Sequence, residues 1–361
     1  MLENIIIRFS EKKDNNQIIE ILKKEAVSGS ISYITDRSPD YFEYLDLTGY
    51  DYKVIVAEID NKIVGFVCIS FSKVFLNKKI ENMAYTYELR LDSNFRKKGI
   101  ADKLMNFAIK TCYEVLGEDA NIFTCVIGSN KDGLRKNEKL YKSGLVNIKK
   151  AGEINTYFIL PFNLKKEKSS KYFIREFKEE DLDEMYILWC NIQINKNLGR
   201  YFTKEDFFTW IKKIKQNHDS SYIVVFDNNK MIAFCGLWNF NKLKKIILSD
   251  EKQYFKIIRF FWFFVSKLLN ISNFPKKGEA LNFFSLINLC VDNNSKDILK
   301  EIILFLFKYT KEHKGIFLAL ALDKKDPLNN ELKNFIFDKS ELLFLNNYES
   351  DNINHFELSL G

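Results

Sequence analysis

Residues Arg96-Lys-Lys-Gly99-Ile-Ala101 place three cations and a glycine directly before an apolar helical repeat. That combination binds phosphate. The first turn of a helix leaves its N–H groups without intrahelical acceptors, and the helix dipole adds positive potential there. Gly99 has no side chain to obstruct an anion, and Arg96, Lys97 and Lys98 add charge. Two elements must position this turn. Upstream, Tyr85, Tyr87, Leu89 and Leu91 alternate with Thr86, Glu88 and Arg90, the period of a strand. Downstream, Ile100, Leu104, Phe107, Ala108 and Cys112 recur at helical spacing. Strand, basic glycine turn and helix together predict a pyrophosphate cradle.

The remaining composition narrows the class. At 361 residues the chain is long enough for two domains, and 46% hydrophobic with 29% charged residues is a globular composition. The net charge of +7 comes from interleaved acidic and basic residues, so it selects no nucleic-acid partner. The six cysteines have no CxxC pairing and mostly sit in apolar runs, which predicts free buried thiols in a reducing, cytoplasmic setting. The three histidines are far apart and none belongs to an HExxH-type motif, so no metal site is expected. No leader segment is recognisable at the N-terminus. The apolar stretch 257–269 carries Arg259 and Lys267 and is too short to span a bilayer; it reads as a buried helix, with an interfacial helix as the other reading. No stable membrane insertion is expected.

Along the first half, a strand at 5–9 is followed by an amphipathic helix that Asp14 could cap. A polar, aromatic-rich segment runs over 28–44, with a helix restarting at 40–44. Apolar runs at 54–59 and 63–69 flank Asp60-Asn61-Lys62 and predict a β-hairpin. A strand at 121–127, a helix at 132–142 and strands within 146–160 complete the unit. Residues 162–170 read as a linker between domains at 1–161 and 171–361.

In that context the turn Arg96-Lys-Lys-Gly99-Ile-Ala101 resembles the acetyl-CoA signature of the GNAT N-acetyltransferase superfamily, Arg/Gln-x-x-Gly-x-Gly/Ala. The stretch Leu140-Tyr141-Lys-Ser-Gly144-Leu145 resembles its second element, shortened by one residue and with Leu145 where the family has phenylalanine. The resemblance implies an α/β (α+β) fold with a mixed, mainly antiparallel sheet flanked by helices. It also implies acetyl-CoA as cosubstrate, with no metal and no covalent intermediate. By the same resemblance the pyrophosphate falls to the backbone of Arg96, Lys97, Lys98, Gly99, Ile100 and Ala101. The pantetheine and thioester fall to Leu89, Arg90 and Leu91, with Asn130 as a further contact and an N–H near Leu91 for the oxyanion. Glu88 becomes the candidate general base, its pKa raised by burial among Tyr85, Tyr87 and Phe95. A Glu88–Arg90 ion pair, or an anchor for the substrate amine, are the other readings. Tyr141 becomes the candidate general acid toward the leaving thiolate. The acceptor pocket is expected in segment 28–44, with Tyr33, Arg37 and Tyr41 as substrate-binding residues.

The second half repeats the pattern without the cradle. Segments 172–186, 222–234, 282–292 and 316–322 echo 5–19, 54–66, the strand ending at Asp92, and 121–127. After Asp292 comes Asn-Asn-Ser-Lys-Asp with no glycine, and aligning Asp292 with Asp92 puts Asn288 opposite Glu88. The expectation is a tandem GNAT protein with one active and one degenerate domain, acetylating a primary amine of a small molecule or peptide. The rival is a non-catalytic acyl-CoA-binding or scaffolding protein.

Overall fold

A computed structural model describes residues 4–27, 32–128, 148–160, 171–216, 220–249, 253–269 and 271–345. The first half carries β1 (Ile6–Phe9), α1 (Asn15–Lys24), β2 (Tyr33–Asp36), β3 (Asp51–Ile59), β4 (Lys62–Leu76), β5 (Lys79–Leu91), α2 (Ile100–Leu116), β6 (Asn121–Ile127) and β7 (Lys149–Ile159). The second half opens with β8 (Phe173–Glu176), α3 (Leu182–Gln193), β9 (Gly199–Arg200), α4 (Lys204–Gln216), β10 (Ser221–Asp227) and β11 (Lys230–Trp238). It closes with β12 (Lys245–Leu248), α5 (Gln253–Leu269), β13 (Phe284–Val291), α6 (Lys296–Glu312), β14 (Leu318–Asp323), α7 (Asn329–Leu332) and β15 (Ile336–Phe344). The predicted helix at 132–142 and the linker lie outside the described residues.

The fold is the expected mixed α/β arrangement, a large, mainly antiparallel sheet flanked by helices. Its order is β1-β3-β4-β5-β6-β15-β7-β14-β13-β11-β10-β8, with β9 against β4. The parallel pairs are β5–β6 and β13–β14. The order is symmetric about its centre, and the last strand of each half has crossed over. β15 pairs with β6, and β7 pairs with β14. Crossing over joins the two sheets edge to edge and removes both inner edges from solvent.

Strands β3 and β4 are buried on both faces, which explains their near-continuous apolar runs. Val54, Val56, Phe66 and Cys68 face α1, whereas Ile55, Ala57, Val67 and Ile69 face α2. The first of these cores continues through Trp189, Phe207, Tyr222 and Phe234, so both halves share it. The hairpin turn is as expected: Asp60 and Asn61 both take positive φ (49° and 61°), the geometry that suits a tight antiparallel connection.

Three local expectations are corrected. Asp14 does not cap α1; its carboxylate accepts the Glu11 N–H (2.8 Å) and pairs with Arg8 (2.7 Å). Asp181 does the same with Lys178 N–H and Arg175, both at 2.6 Å, so the halves share this device. Segment 40–44 does not restart a helix; only a short 3-10 turn, Leu45–Leu47, forms there. Helix α5 is not a buried helix: Trp262 and Ser266 point inward, but Phe260, Phe261, Phe264 and Leu268 are exposed. No described helix is long and apolar enough to cross a membrane.

Candidate functional site

Strand β5 and helix α2 form where expected, and the turn between them is exposed from Arg96 to Gly99. Gly99 caps α2 with φ +75°, a left-handed conformation that costs other residues about 1 kcal/mol or more. A Cβ built there would meet nothing within 4 Å, so the approach to the helix mouth is open. The first N–H to bond within α2 is that of Lys103, to Gly99 O (3.2 Å). The amides of Ile100, Ala101 and Asp102 precede it at the helix mouth. Lys97 is also left-handed (φ +63°), which curls the turn. Of the three cations, Arg96 is tied to buried Glu25, and Lys98 lies over the Phe95 ring (5.0 Å). Glu25 also accepts the Ser93 N–H (2.7 Å), so the Arg96 pair braces the entrance to the turn. Asp102 sits in the first turn of α2, and its carboxylate reduces the net positive potential there.

Between β5 and β6 a seam opens. The two strands pair only at Met83–Asn121, Ala84–Ile122 and Tyr85–Phe123. Thr124 Oγ1 then donates to Thr86 O (2.8 Å), while β15 holds the other edge of β6 from Phe123 to Ile127. The stacked rings of Tyr87, Tyr85 and Phe123 lie at the fork (4.9 and 4.6 Å between centroids). On the other side of β5, Asp92 N–H bonds Val64 O (2.9 Å). Alternation along the strand therefore turns the Leu91 N–H toward the seam. Arg90 faces β4 in register with Phe66.

At this point β5 carries a bulge. Phe66 pairs with Arg90 but Cys68 with Tyr87, so Val67 alone opposes Glu88 and Leu89. Glu88 is left-handed, with φ +57°. The same device recurs in β13, where Phe234 pairs with Cys290, Gly236 with Ile287, and Asn288 takes φ +53°. The bulge residue lies four positions before the strand-ending aspartate in both halves, the alignment made from sequence. In the second half it is an amide, accepting a bond from the Tyr222 hydroxyl (2.9 Å).

Glu88 is held by residues from the polar segment. Its carboxylate pairs with Arg37 Nη2 at 3.0 Å and accepts the Tyr41 hydroxyl at 2.9 Å. The two side chains of the ion pair are 1% (Arg37) and 6% (Glu88) exposed. The Arg37 guanidinium lies over the rings of Tyr41 and Tyr44 (4.9 and 4.5 Å). Tyr41 is itself buried, with its hydroxyl also 2.7 Å from Cys68 Sγ. The sequence expectation that burial raises Glu88 is corrected. Burial does push it up, but Arg37, then Lys244 and Arg90, with the Tyr41 hydrogen bond, together bring it below the usual carboxylate range. Its ion-pair partner is Arg37 rather than Arg90.

Two contributors to the site were not anticipated. β12 pairs with β2, matching Lys245 with Asp36 and Leu248 with Tyr33, so the second half completes the wall that carries Tyr33. Lys244, just before β12, lies over the Tyr44 ring (5.2 Å). Burial and the nearby Arg37 push its pKa down to about 8, with Glu88 pulling the other way. Arg200, from β9, donates to Thr48 O (2.7 Å), and burial lowers it to about 10. Nothing local in sequence marks either residue, because both reach the site through long-range pairing. Tyr33 is half-buried, and desolvation raises its phenol, so it stays neutral. Asn130 and Tyr141 lie outside the described residues. All six thiols are free, four buried and two partly so. Among the described residues no three His, Cys, Asp or Glu side chains group as a metal site.

A bulged carboxylate, a strand seam and a left-handed glycine at a helix mouth are thus aligned along one strand. Residues 16–141 match the acetyltransferase (GNAT) family model. No curated protein matches the chain by sequence. Among solved structures, Saccharomyces cerevisiae N-myristoyltransferase with bound myristoyl-CoA is similar at a TM-score of 0.64 and 12% identity. That match covers 97% of this chain and 80% of the other. A GCN5-related N-acetyltransferase from Anabaena variabilis is similar at 0.53 and 11% identity, covering 94% and 72%. One from Kribbella flavida is similar at 0.51 and 8% identity, covering 94% and 71%. At these identities the likeness is one of fold: the chain has a GNAT-like fold.

Proposed function

We propose that this protein transfers an acyl group from acyl-CoA to a primary amine of a small molecule or peptide, with acetyl-CoA as donor. The observation that carries the reading is the seam beside β5: a strand edge with no partner strand among the described residues, bulged Glu88 and the glycine turn lie along one path. The turn from Arg96 to Ala101 would hold the pyrophosphate through its backbone N–H groups. The edge from Leu89 to Leu91 would receive the pantetheine, and the Leu91 N–H would face the developing oxyanion.

Glu88 stays ionised near neutrality. A carboxylate held below its usual range is a weak proton acceptor but a strong anchor for an ammonium group. We assign it the role of orienting the acceptor amine in the seam. Among the described residues its carboxylate bonds Arg37 and Tyr41, and a carboxylate accepts about four hydrogen bonds, which leaves capacity for the amine. Tyr41 and Arg37 then act by holding Glu88, and Tyr33 by closing the wall. Tyr141 is assigned the proton to the leaving thiolate and Asn130 a pantetheine contact, both from the family resemblance. The catalytic domain is residues 1–161, and 171–361 is a degenerate repeat that has kept the bulge and lost the cradle. The setting is cytoplasmic.

A longer acyl donor is the second reading, favoured by the yeast enzyme's fold match over nearly the whole chain. The test is thiol release from acetyl-, octanoyl- and myristoyl-CoA against polyamines, amino acids and peptides. Glu88→Gln should raise KM for the amine more than it lowers kcat, and Tyr141→Phe should lower kcat. Absence of CoA binding by calorimetry would sink the proposal; CoA binding without turnover would favour a scaffolding role.

A further inference from the structure

Helix α5 separates β12 from β13 and turns its apolar side outward. Its inner side is anchored: Trp262 is 6% exposed and donates from Nε1 to Ser272 O (2.8 Å). Ser266 is 4% exposed and bonds Asn273 Oδ1 (2.7 Å). On the opposite side Ile257 is 60%, Phe260 62%, Phe261 62%, Phe264 56% and Leu268 84% exposed. At about 100° per residue these five positions fall in one arc. The Phe260 and Phe264 rings touch edge to face at 5.3 Å, so the arc is a continuous apolar surface. Isolated exposed apolar residues need no explanation, but a contiguous aromatic ridge marks a docking face.

The charge pattern selects the partner. From 253 to 269 the helix has Lys256, Arg259 and Lys267 and no acidic residue. Lys256 and Lys267 are exposed along one edge of the arc, and Lys267 Nζ lies over the Phe263 ring (4.3 Å). Exposed Lys276 and Lys277 follow in the next loop. The helix has 17 residues, roughly 26 Å of rise and short of the ~30 Å hydrocarbon core, and its inner side is fixed to the protein. It can lie on a bilayer but not cross it. Phenyl rings at the headgroup boundary with lysine stems beside them are the arrangement of an interfacial helix.

We propose that α5 docks this protein onto an anionic phospholipid bilayer surface. Because β12 leads into α5 and pairs with β2, docking would hold the Tyr33 wall close to the lipid surface. The inference stands apart from the acyl-transfer reading.

The test is flotation of the full chain with equimolar phosphatidylglycerol–phosphatidylcholine vesicles and with pure phosphatidylcholine vesicles. Binding to the anionic vesicles should weaken between about 0.05 and about 0.5 M salt. The double change Phe261→Ser with Phe264→Ser should cut partitioning about 100-fold. Lys256→Glu with Lys267→Glu should remove the preference for anionic lipid. Both variants alter exposed side chains, so melting temperature and CoA binding should match wild type. Failure of the wild type to float with anionic vesicles overturns the proposal. So does a wild-type dimer in sedimentation that Phe261→Ser with Phe264→Ser makes monomeric without any vesicle binding.

Discussion

Replacing Arg37 with methionine isolates what holds Glu88 in its ionised, bulged position. Methionine keeps much of the apolar stem over Tyr41 and Tyr44 and removes the charge. At 3.0 Å and an effective dielectric of about 20, the Arg37–Glu88 attraction is about 5–6 kcal/mol. Both side chains are almost fully enclosed, so solvent screens little of it. Lys244 and Arg90 remain near Glu88 and recover part of the loss. The expected destabilisation at pH 8 is therefore about 3 kcal/mol, the low end for breaking a buried pair.

The pH dependence makes the cause visible. In the wild type Glu88 lies below its unfolded value near 4.3, so its contribution is present above that pH and lost as pH falls through the folded pKa. In Arg37→Met, burial dominates and Glu88 rises above its unfolded value. The folded state then binds the extra proton, so the variant should recover stability as pH drops from 8 toward 5, while the wild type does not. Urea midpoints at pH 8, 7, 6 and 5 read this directly. Adding Glu88→Gln to Arg37→Met should restore most of the loss at pH 8, because no charge is left buried. An offset between wild type and Arg37→Met that does not change with pH would refute the reasoning. A double variant as unstable as the single would refute it too.

Other outcomes follow from the same geometry. Gly99→Val should cost about 1 kcal/mol or more by urea denaturation, because φ is +75° there, and should weaken CoA binding in calorimetry. Lys244 has its folded pKa lowered to about 8, so the unfolded state binds more protons above pH 8. Wild-type stability should gain from this between pH 8 and about 9.5, and Lys244→Met should remove the gain in thermal melts. Asp14 and Asp181 are both held below their usual value, by Arg8 and Arg175 acting against burial. Their stabilisation is present above the unfolded value near 3.9 and lost on acidification, so Asp14→Asn and Asp181→Asn should each flatten the acid limb of the stability curve.

Much of the fold was legible in sequence because it rests on local rules. Period-2 alternation located β5, Asp60 and Asn61 marked a tight turn, and the basic run ending at Gly99 marked the start of α2. The echo of 5–19 in 172–186 was visible in the same way, and the structure gives it a shared device, the Arg8–Asp14 and Arg175–Asp181 pairs, each closing over six residues. The alignment of Asn288 with Glu88 needed only the spacing to a strand-ending aspartate. The positive φ at both residues gives that spacing its physical meaning.

Tertiary structure decided what acts on those residues. The exchange of β7 and β15 has no sequence mark, because a strand's apolar faces suit either neighbour equally well. Short β2 and β12 carry almost no periodic signal, and only their pairing brings Lys244 beside Glu88. Composition gave no warning that Arg37 would lie buried against Glu88, and so the sign of the Glu88 shift was read wrongly. Burial of a carboxylate is a local expectation, whereas the charge that reverses its effect arrives through space. The same holds for α5, whose amphipathic sequence fits a buried helix or an interfacial one. Only the anchoring of Trp262 and Ser266 shows which face is left for a partner.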